Sequence, residues 1–206
     1  MHWVCGKPFL VCREFGFQHL PHMLQPALPI LFIRRRRRSS LRKSQEVIGL
    51  SIIHRYTGKQ LGTVSDVLFD SANVWQGILL EQGGLFKRRK FIPAKRLCSV
   101  GMDAVVVESE ADIQDLPKEA ESWIGLCSGE KKLKGRTIML SNGRELGMVE
   151  NVYFQEEVGT LVGYEVSEGL LADLRQGRKV LRCAQPLVWG EDVLIAPLDG
   201  IRIKES

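Results

Sequence analysis

The stretch GLSIIHRYTGKQLGTVSDVLFD, Gly49 to Asp70, recurs as GRTIMLSNGRELGMVENVYFQ, Gly135 to Gln155, with a one-residue gap in the second copy. Gly49 matches Gly135, Gly58 matches Gly143, Leu61-Gly62 matches Leu146-Gly147, and Val64, Val67 and Phe69 match Val149, Val152 and Phe154. Asp66 meets Asn151. The likeness continues through Gly77 and Gly163, fades, and returns at Gly101-Met102-Asp103 against Gly190-Glu191-Asp192. One supersecondary unit is therefore used twice. Each repeat spans about 65 residues, enough for one small core.

Within a repeat the pattern is that of a β-meander. Ile48 to Arg55 is rich in β-branched residues, and Thr57-Gly58 turns it into Leu61 to Asp70; in the second repeat Asn142-Gly143 is the stronger hairpin signal, because both residues tolerate positive φ. The returning strand has apolar positions at 61, 64, 67 and 69, and again at 146, 149, 152 and 154, so its alternation changes parity partway along. A strand that switches its buried face needs a bulge or a sharp bend. A period near three would also suit a helix, but Gly62, Gly147, the turns and the β-branched content favour a strand.

A third strand follows at Trp75 to Glu81 and at Leu161 to Ser167, then a short one at Lys90 to Pro93 and at Lys179 to Arg182. A last hairpin leads into Ala104 to Glu108 and Val193 to Pro197. Five or six short strands without a long helix predict an all-β fold, two tandem small barrels packed together. The stretch Ser109 to Glu130 between them is acidic and holds Pro117, after which Lys118 to Ile124 suits a short helix; Trp123 and Leu126 are expected to pack on a barrel. The expected organisation is a disordered basic extension at 1–44, a first barrel at 45–108, an acidic linker at 109–130 and a second barrel at 131–206.

The order Ile48-Gly49, Thr57-Gly58-Lys59, Leu61-Gly62-Thr63-Val64-Ser65-Asp66-Val67-Leu68-Phe69-Asp70, then Ile92-Pro93 leading to Gly101, resembles the photosynthetic-reaction-centre (PRC) barrel family. Relatives of that type include the cytoplasmic barrel of the reaction-centre H subunit and the C-terminal domain of a ribosome maturation factor. The resemblance covers residues 46–108 well and 132–201 fairly. It implies a module that docks proteins or RNA–protein assemblies and carries no catalytic machinery. The second repeat departs from the pattern where Arg182 stands at the position of Pro93 and where the connection from Leu170 to Arg178 is longer. Its partner surface is expected to differ.

The formal charge of +5 is unevenly spread. Residues 1–44 hold nine Lys and Arg, Arg34 to Arg38 among them, against the single Glu14, leaving 20 basic and 23 acidic side chains in the rest. The apolar run Leu24 to Ile33 precedes its arginines, the reverse of a secretory signal, and it is interrupted by Pro26 and Pro29 and far short of the ~20 apolar residues a spanning helix needs. Such a tail suits a solvated extension, an anion-binding segment, or translation beginning downstream. Five widely spaced cysteines with no C-x-x-C pair indicate neither a disulfide framework nor a zinc motif, and Cys5, Cys12, His19 and His22 match no familiar finger, so no metal and no cofactor are expected. A reducing, cytoplasmic setting is expected.

From residue 45 onward His54 is the one histidine, and no G-x-S-x-G, H-E-x-x-H, phosphate-loop or dinucleotide signature occurs. Asp66, Asp70, Glu156 and Glu157 read as solvated carboxylates without an acid–base role. No catalytic residue is assigned, and the protein is not expected to be an enzyme. The candidate contact surface is LFKRRKFIPAKR, Leu85 to Arg96, where Lys87, Arg88, Arg89, Lys90, Lys95 and Arg96 interleave with Phe86 and Phe91. Arg175, Arg178, Lys179 and Arg182 are its counterparts in the second repeat, beside a Leu170-Leu171-Ala172-Asp173-Leu174 helical turn with an apolar face. The plain alternative is a charged, solvated connection with Phe91 in the core. The expected role is a non-enzymatic adaptor docking an unidentified protein partner, the alternative being an RNA- or ribosome-associated factor gripping phosphate through residues 85–96.

Overall fold

The parity change and the hairpin turns shape the ladders seen in the computed structural model, which describes residues 41–81 and 89–205. The chain enters through β1 (Leu41–Lys43) and a single helical turn, α1 (Ser44–Val47). The first repeat runs β2 (Ser51–His54), β3 (Gln60–Phe69), β4 (Trp75–Leu80), β5 (Lys90–Pro93), β6 (Leu97–Val100) and β7 (Ala104–Val107). The connection carries β8 (Gln114–Asp115), a 3-10 turn at Lys118–Ser122, β9 (Ile124–Gly125) and β10 (Lys131–Lys132). The second repeat runs β11 (Thr137–Leu140), β12 (Glu145–Gln155), β13 (Thr160–Ser167), α2 (Leu170–Gln176), β14 (Lys179–Cys183), β15 (Val188–Trp189) and β16 (Val193–Ala196), and β17 (Ile201–Glu205) follows.

The two sheets have the same strand order, β6-β7-β2-β3-β4-β5-β8 and β15-β16-β11-β12-β13-β14-β17. Neither path closes on itself, so the all-β class holds while each barrel stays open at its edges. The order also differs from a plain meander. After the β6–β7 hairpin the chain returns beside the start of the repeat, and β7 pairs parallel to β2 as β16 does to β11. A parallel neighbour needs a long crossover, which here is the rest of the repeat.

The long strands shift register where their apolar pattern changes parity. Val64 faces Leu80 but Asp66 faces Leu79, leaving Ser65 as an extra residue; Glu150 is the extra residue in β12, between Val149 and Asn151. Further along, the bulge falls on the partner strand, with Gln76 extra in β4 and Val162 extra in β13. The sharp bend is what lets Val64, Val67 and Phe69, and likewise Val149, Val152 and Phe154, all reach one interior. Gly77 marks the tightest approach: its φ is +150°, and a Cβ there would collide with the carbonyl oxygen of Ile92.

The repeats exchange their lead-in segments. Strand β1, which precedes the first repeat, pairs with β12 of the second (Arg42 opposite Phe154), while β9, which precedes the second, pairs with β3 of the first (Ile124 opposite Phe69). Leu41 to Ser44, within the range assigned to the extension, therefore belong to the folded structure of the second repeat; residues 1–40 lie outside the described residues. At the centre of this exchange the rings of Phe69 and Phe154 meet edge to face with centroids 5.6 Å apart, and Trp75 lies 5.1 Å from Phe154. The hairpins join by reciprocal backbone bonds, Trp75 N–H to Gly159 (2.6 Å) and Leu161 N–H to Asn73 (2.8 Å). One hydrophobic core therefore runs through both repeats.

A continuous core predicts joint unfolding. Phe69→Ala and Phe154→Ala should each cost about 3–5 kcal/mol, the usual range for a buried Phe. Urea titrations of both variants should show a single transition by tryptophan fluorescence and far-UV circular dichroism alike. Two separable transitions would mean that the repeats fold independently.

Candidate binding surfaces

The polar residue at each bulge is buried, and the lead-in segment of the other repeat supplies hydrogen-bond partners to it. Asp66 is fully buried, contrary to the solvated carboxylate expected from its place near a strand end. Its carboxylate accepts the backbone N–H groups of Val67 (2.8 Å), Leu126 (3.1 Å), Cys127 (3.0 Å) and Ser128 (2.8 Å), and the Ser128 hydroxyl at 2.7 Å. Gly125 makes the approach possible, since a Cβ there would lie 2.8 Å from Asp66 Oδ2 and nearer still to the Ser128 carbonyl. Burial raises the Asp66 carboxyl above its ordinary range, and the donated hydrogen bonds oppose that.

In the second repeat Asn151 takes this position chiefly as a donor, its Oδ1 accepting the Ser44 hydroxyl at 3.5 Å. Its amide donates to Glu165 at 2.7 Å and to Gln45 at 3.3 Å, while Ser44 Oγ accepts the N–H of Val152 at 3.1 Å. Glu165 is itself buried and anchors a cation pair, Lys43 at 2.8 Å and Arg178 at 3.5 Å. Burial pushes its carboxyl up, but the hydrogen bonds from Lys43 and Asn151 and the charges of Lys43 and Arg178 outweigh this and hold it below the usual range.

The cations singled out from sequence fall into two groups. Phe86, Lys87 and Arg88 lie outside the described residues. Arg89 is exposed and its carbonyl accepts the Leu116 N–H; Lys90 pairs with Asp115 at 2.7 Å; Arg96 reaches Asp112 at 4.0 Å; and Lys95 is exposed. The acidic linker is thus the charge partner of this basic strand. Phe91 is buried against the ring of Trp123, centroids 5.3 Å apart, on a small outer cluster with Leu68 and Leu79 that Leu116 also covers. In the second repeat Arg178 is held by Asp173 at 3.3 Å as well as by Glu165, Lys179 pairs with Glu168 at 2.7 Å, and Arg175 is exposed on α2. No ion pair joins the two groups among the described residues.

The remaining chemistry-bearing side chains have structural duties. His54 Nδ1 accepts the N–H groups of Tyr56 and Thr57, both at 3.2 Å, and so fixes its own turn. Burial raises the Cys183 thiol to about 11 and, with the Asp66 charge, also raises Cys127, which keeps both protonated at neutral pH. Among the described residues no His, Cys, Asp and Glu cluster is arranged to hold a metal, and no helix is long and apolar enough to cross a membrane.

A PRC-barrel domain model matches residues 41–114 and again 130–195, about two thirds of the chain. The chain belongs to the PRC-barrel family. The first matched segment begins at β1, where the lead-in to the first repeat begins. The chain is also 29% identical over 151 residues to the Uncharacterized protein YrrD of Bacillus subtilis (strain 168), covering 72% of this chain and 83% of that protein. Within this PRC-barrel pair, sequence reasoning aligned Asp66 with Asn151 but missed the buried exchange, because the ligating groups are mostly backbone N–H donors from about 60 residues away.

The opposed polarities give a direct test. Asp66→Asn turns an amide toward N–H donors, and Asn151→Asp sets a carboxylate against Glu165; each should cost about 1–3 kcal/mol in urea denaturation, whereas a solvated position would show almost none. A second prediction concerns pH. With its folded pKa lowered, Glu165 contributes stability that is complete above the unfolded value of about 4.3 and is lost as pH falls through the lower folded value. Lys43→Met should lower the urea midpoint near pH 7 and shrink its drop between about pH 7 and about pH 3; an unchanged drop would show that the pair does not couple to folding.

Proposed function

We propose that this PRC-barrel protein is a non-enzymatic, cytoplasmic adaptor that docks a protein partner, chiefly through its second repeat. The observation that carries the reading is where exposed apolar surface lies. Helix α2, which sits in the longer connection of the second repeat, presents Leu170, Leu171 and Leu174 with 76%, 72% and 76% of their surface open. An apolar patch of this kind is costly to leave in water and typically marks a contact surface. Charge supports the same reading. Lys90 and Arg96 are engaged by the linker acids, and Arg178 and Lys179 by Asp173, Glu165 and Glu168, so much of the basic strand's charge is neutralised within the chain. That reduces what is available for phosphate, on which an RNA-binding reading depends.

Affinity capture with the full chain, from nuclease-treated and untreated lysate, separates the two readings. The same protein partner is expected under both conditions and after Lys87, Arg88 and Arg89 are changed to Ala, with recovery falling at least tenfold when Leu170, Leu171 and Leu174 are changed to Ser. Loss of every partner on nuclease treatment, or with the triple Ala variant alone, would overturn the adaptor in favour of the RNA factor.

A further inference from the structure

In the first repeat the outer face of the sheet is lined by the acidic linker, and the corresponding face of the second carries a different set of side chains. In the first, Leu68, Leu79 and Phe91 lie under Leu116 and Trp123 of the acidic linker. The registers identify the equivalents. Ile124 faces Phe69 as Arg42 faces Phe154, so Leu41 occupies the place of Trp123; Leu79 pairs with Phe91 as Glu165 pairs with Val180, so Val180 occupies the place of Phe91. Two large rings are thus replaced by two aliphatic side chains. Both repeats keep a groove here: about 400 Å3 in the first, with Gln76, Phe91, Pro93, Gln114 and Trp123 in its lining, and about 270 Å3 in the second, lined by Leu41, Tyr153, Val162, Val180, Arg182 and Lys204 and running into an adjoining recess of about 280 Å3. The shape of the second follows from the fold: Val162 is the extra residue at the β13 bulge, and Leu41 on β1 is 47% exposed.

The rim is cationic in a way that folding alone does not account for. Arg182 and Arg202 are direct cross-strand partners in the β14–β17 ladder, and Val180 faces Lys204, so the side-chain period of two sets Arg182, Arg202 and Lys204 on one face beside Val180. Like charges opposite each other in a ladder are destabilising. All three are exposed, and among the described residues none has an ion-pair partner. Pro93 stands at the place of Arg182 in the first repeat, where Gly77 pairs with Pro93.

Resting on the adaptor reading, we infer from the apolar lining and the cationic rim that this groove binds a partner's acidic peptide segment carrying a bulky apolar side chain. The apolar side chain fills the space beside Leu41, Val162 and Val180, and the carboxylates neutralise Arg182, Arg202 and Lys204. The linker that packs on the first repeat has this composition, with Glu110, Asp112, Asp115, Glu119 and Glu121 around Leu116 and Trp123. The chain's own basic residues 34–38 carry the wrong sign for this rim.

The probe is a synthetic peptide with the sequence of residues 109–124, SEADIQDLPKEAESWI, titrated into the isotope-labelled full chain and followed by NMR. Saturable shifts are expected at Val162, Gly163 and Val180, weakening with salt and at least tenfold with Arg182→Glu plus Lys204→Glu. That double variant removes a like-charge pair, so its thermal midpoint should be unchanged or higher, which keeps misfolding from explaining lost binding. Absence of shifts at these residues, binding indifferent to the double variant, or a uridine oligonucleotide displacing the peptide from the groove would each overturn the assignment. If the peptide fails while capture of the protein partner survives Arg182→Glu plus Lys204→Glu, the groove assignment falls and the adaptor stands. Nuclease-dependent loss of all partners brings down both.

Discussion

A bulge in a buried strand exposes a polar group to an interior that cannot solvate it, and the architecture of this protein follows from how that group is satisfied. Asp66 and Asn151 sit at matching bulges, and in each case some of the partners come from the segment preceding the other repeat, most of them for Asp66 and Ser44 and Gln45 for Asn151. An unsatisfied buried carboxylate would cost several kcal/mol, so neither repeat is complete without the other's lead-in. Once β1 lies on β12 and β9 on β3, Phe69 and Phe154 are brought into contact and the two cores become one. The exchange turns a tandem duplication into a single folded body whose halves share one strand order and pair reciprocally.

The halves differ in chemistry rather than in topology. Asp66 receives donors and, among the described residues, has no ion-pair partner, while Asn151 feeds Glu165, whose charge is balanced by Lys43 and Arg178. At the outer faces the same contrast recurs: the place of Leu79 is taken by Glu165, and the Phe91–Trp123 pair by Val180 and Leu41. One repeat has its linker packed on Leu68, Leu79 and Phe91. The other carries a cationic rim and an exposed leucine helix, so the two repeats offer unequal surfaces to a partner.

Much of this frame was legible in the sequence because it rests on local rules. The Asn142-Gly143 turn, the β-branched run at Ile52-Ile53 and the parity change between Val64 and Val67 each report on neighbouring residues, and each appears as expected in the ladders. Even the short turn after Pro117 and the buried Leu126 were readable from proline and from apolar character. The parallel β2–β7 pairing and the arm exchange were not, since both depend on which distant backbone meets which, and backbone donors look alike whatever residue carries them. The same reason hid Asp66. A carboxylate near a strand end usually meets water, and only the path of residues 124–128 decides otherwise.

The candidate site illustrates the converse problem, a sequence signal whose meaning is set by what lies opposite it. LFKRRKFIPAKR reads as a basic contact surface when taken alone, yet Asp112 and Asp115 of the linker fold back onto its described cations and Trp123 stacks on Phe91. Arg182, Arg202 and Lys204 form no conspicuous run, being split between two strands about 20 residues apart, but the ladder gathers them on one face, and among the described residues no ion-pair partner balances them. Charge density along the chain is therefore a poor guide to where charge is free. In this protein Asp112 and Asp115 of the linker engage cations of the first repeat, whereas among the described residues Arg182, Arg202 and Lys204 of the second have no ion-pair partner.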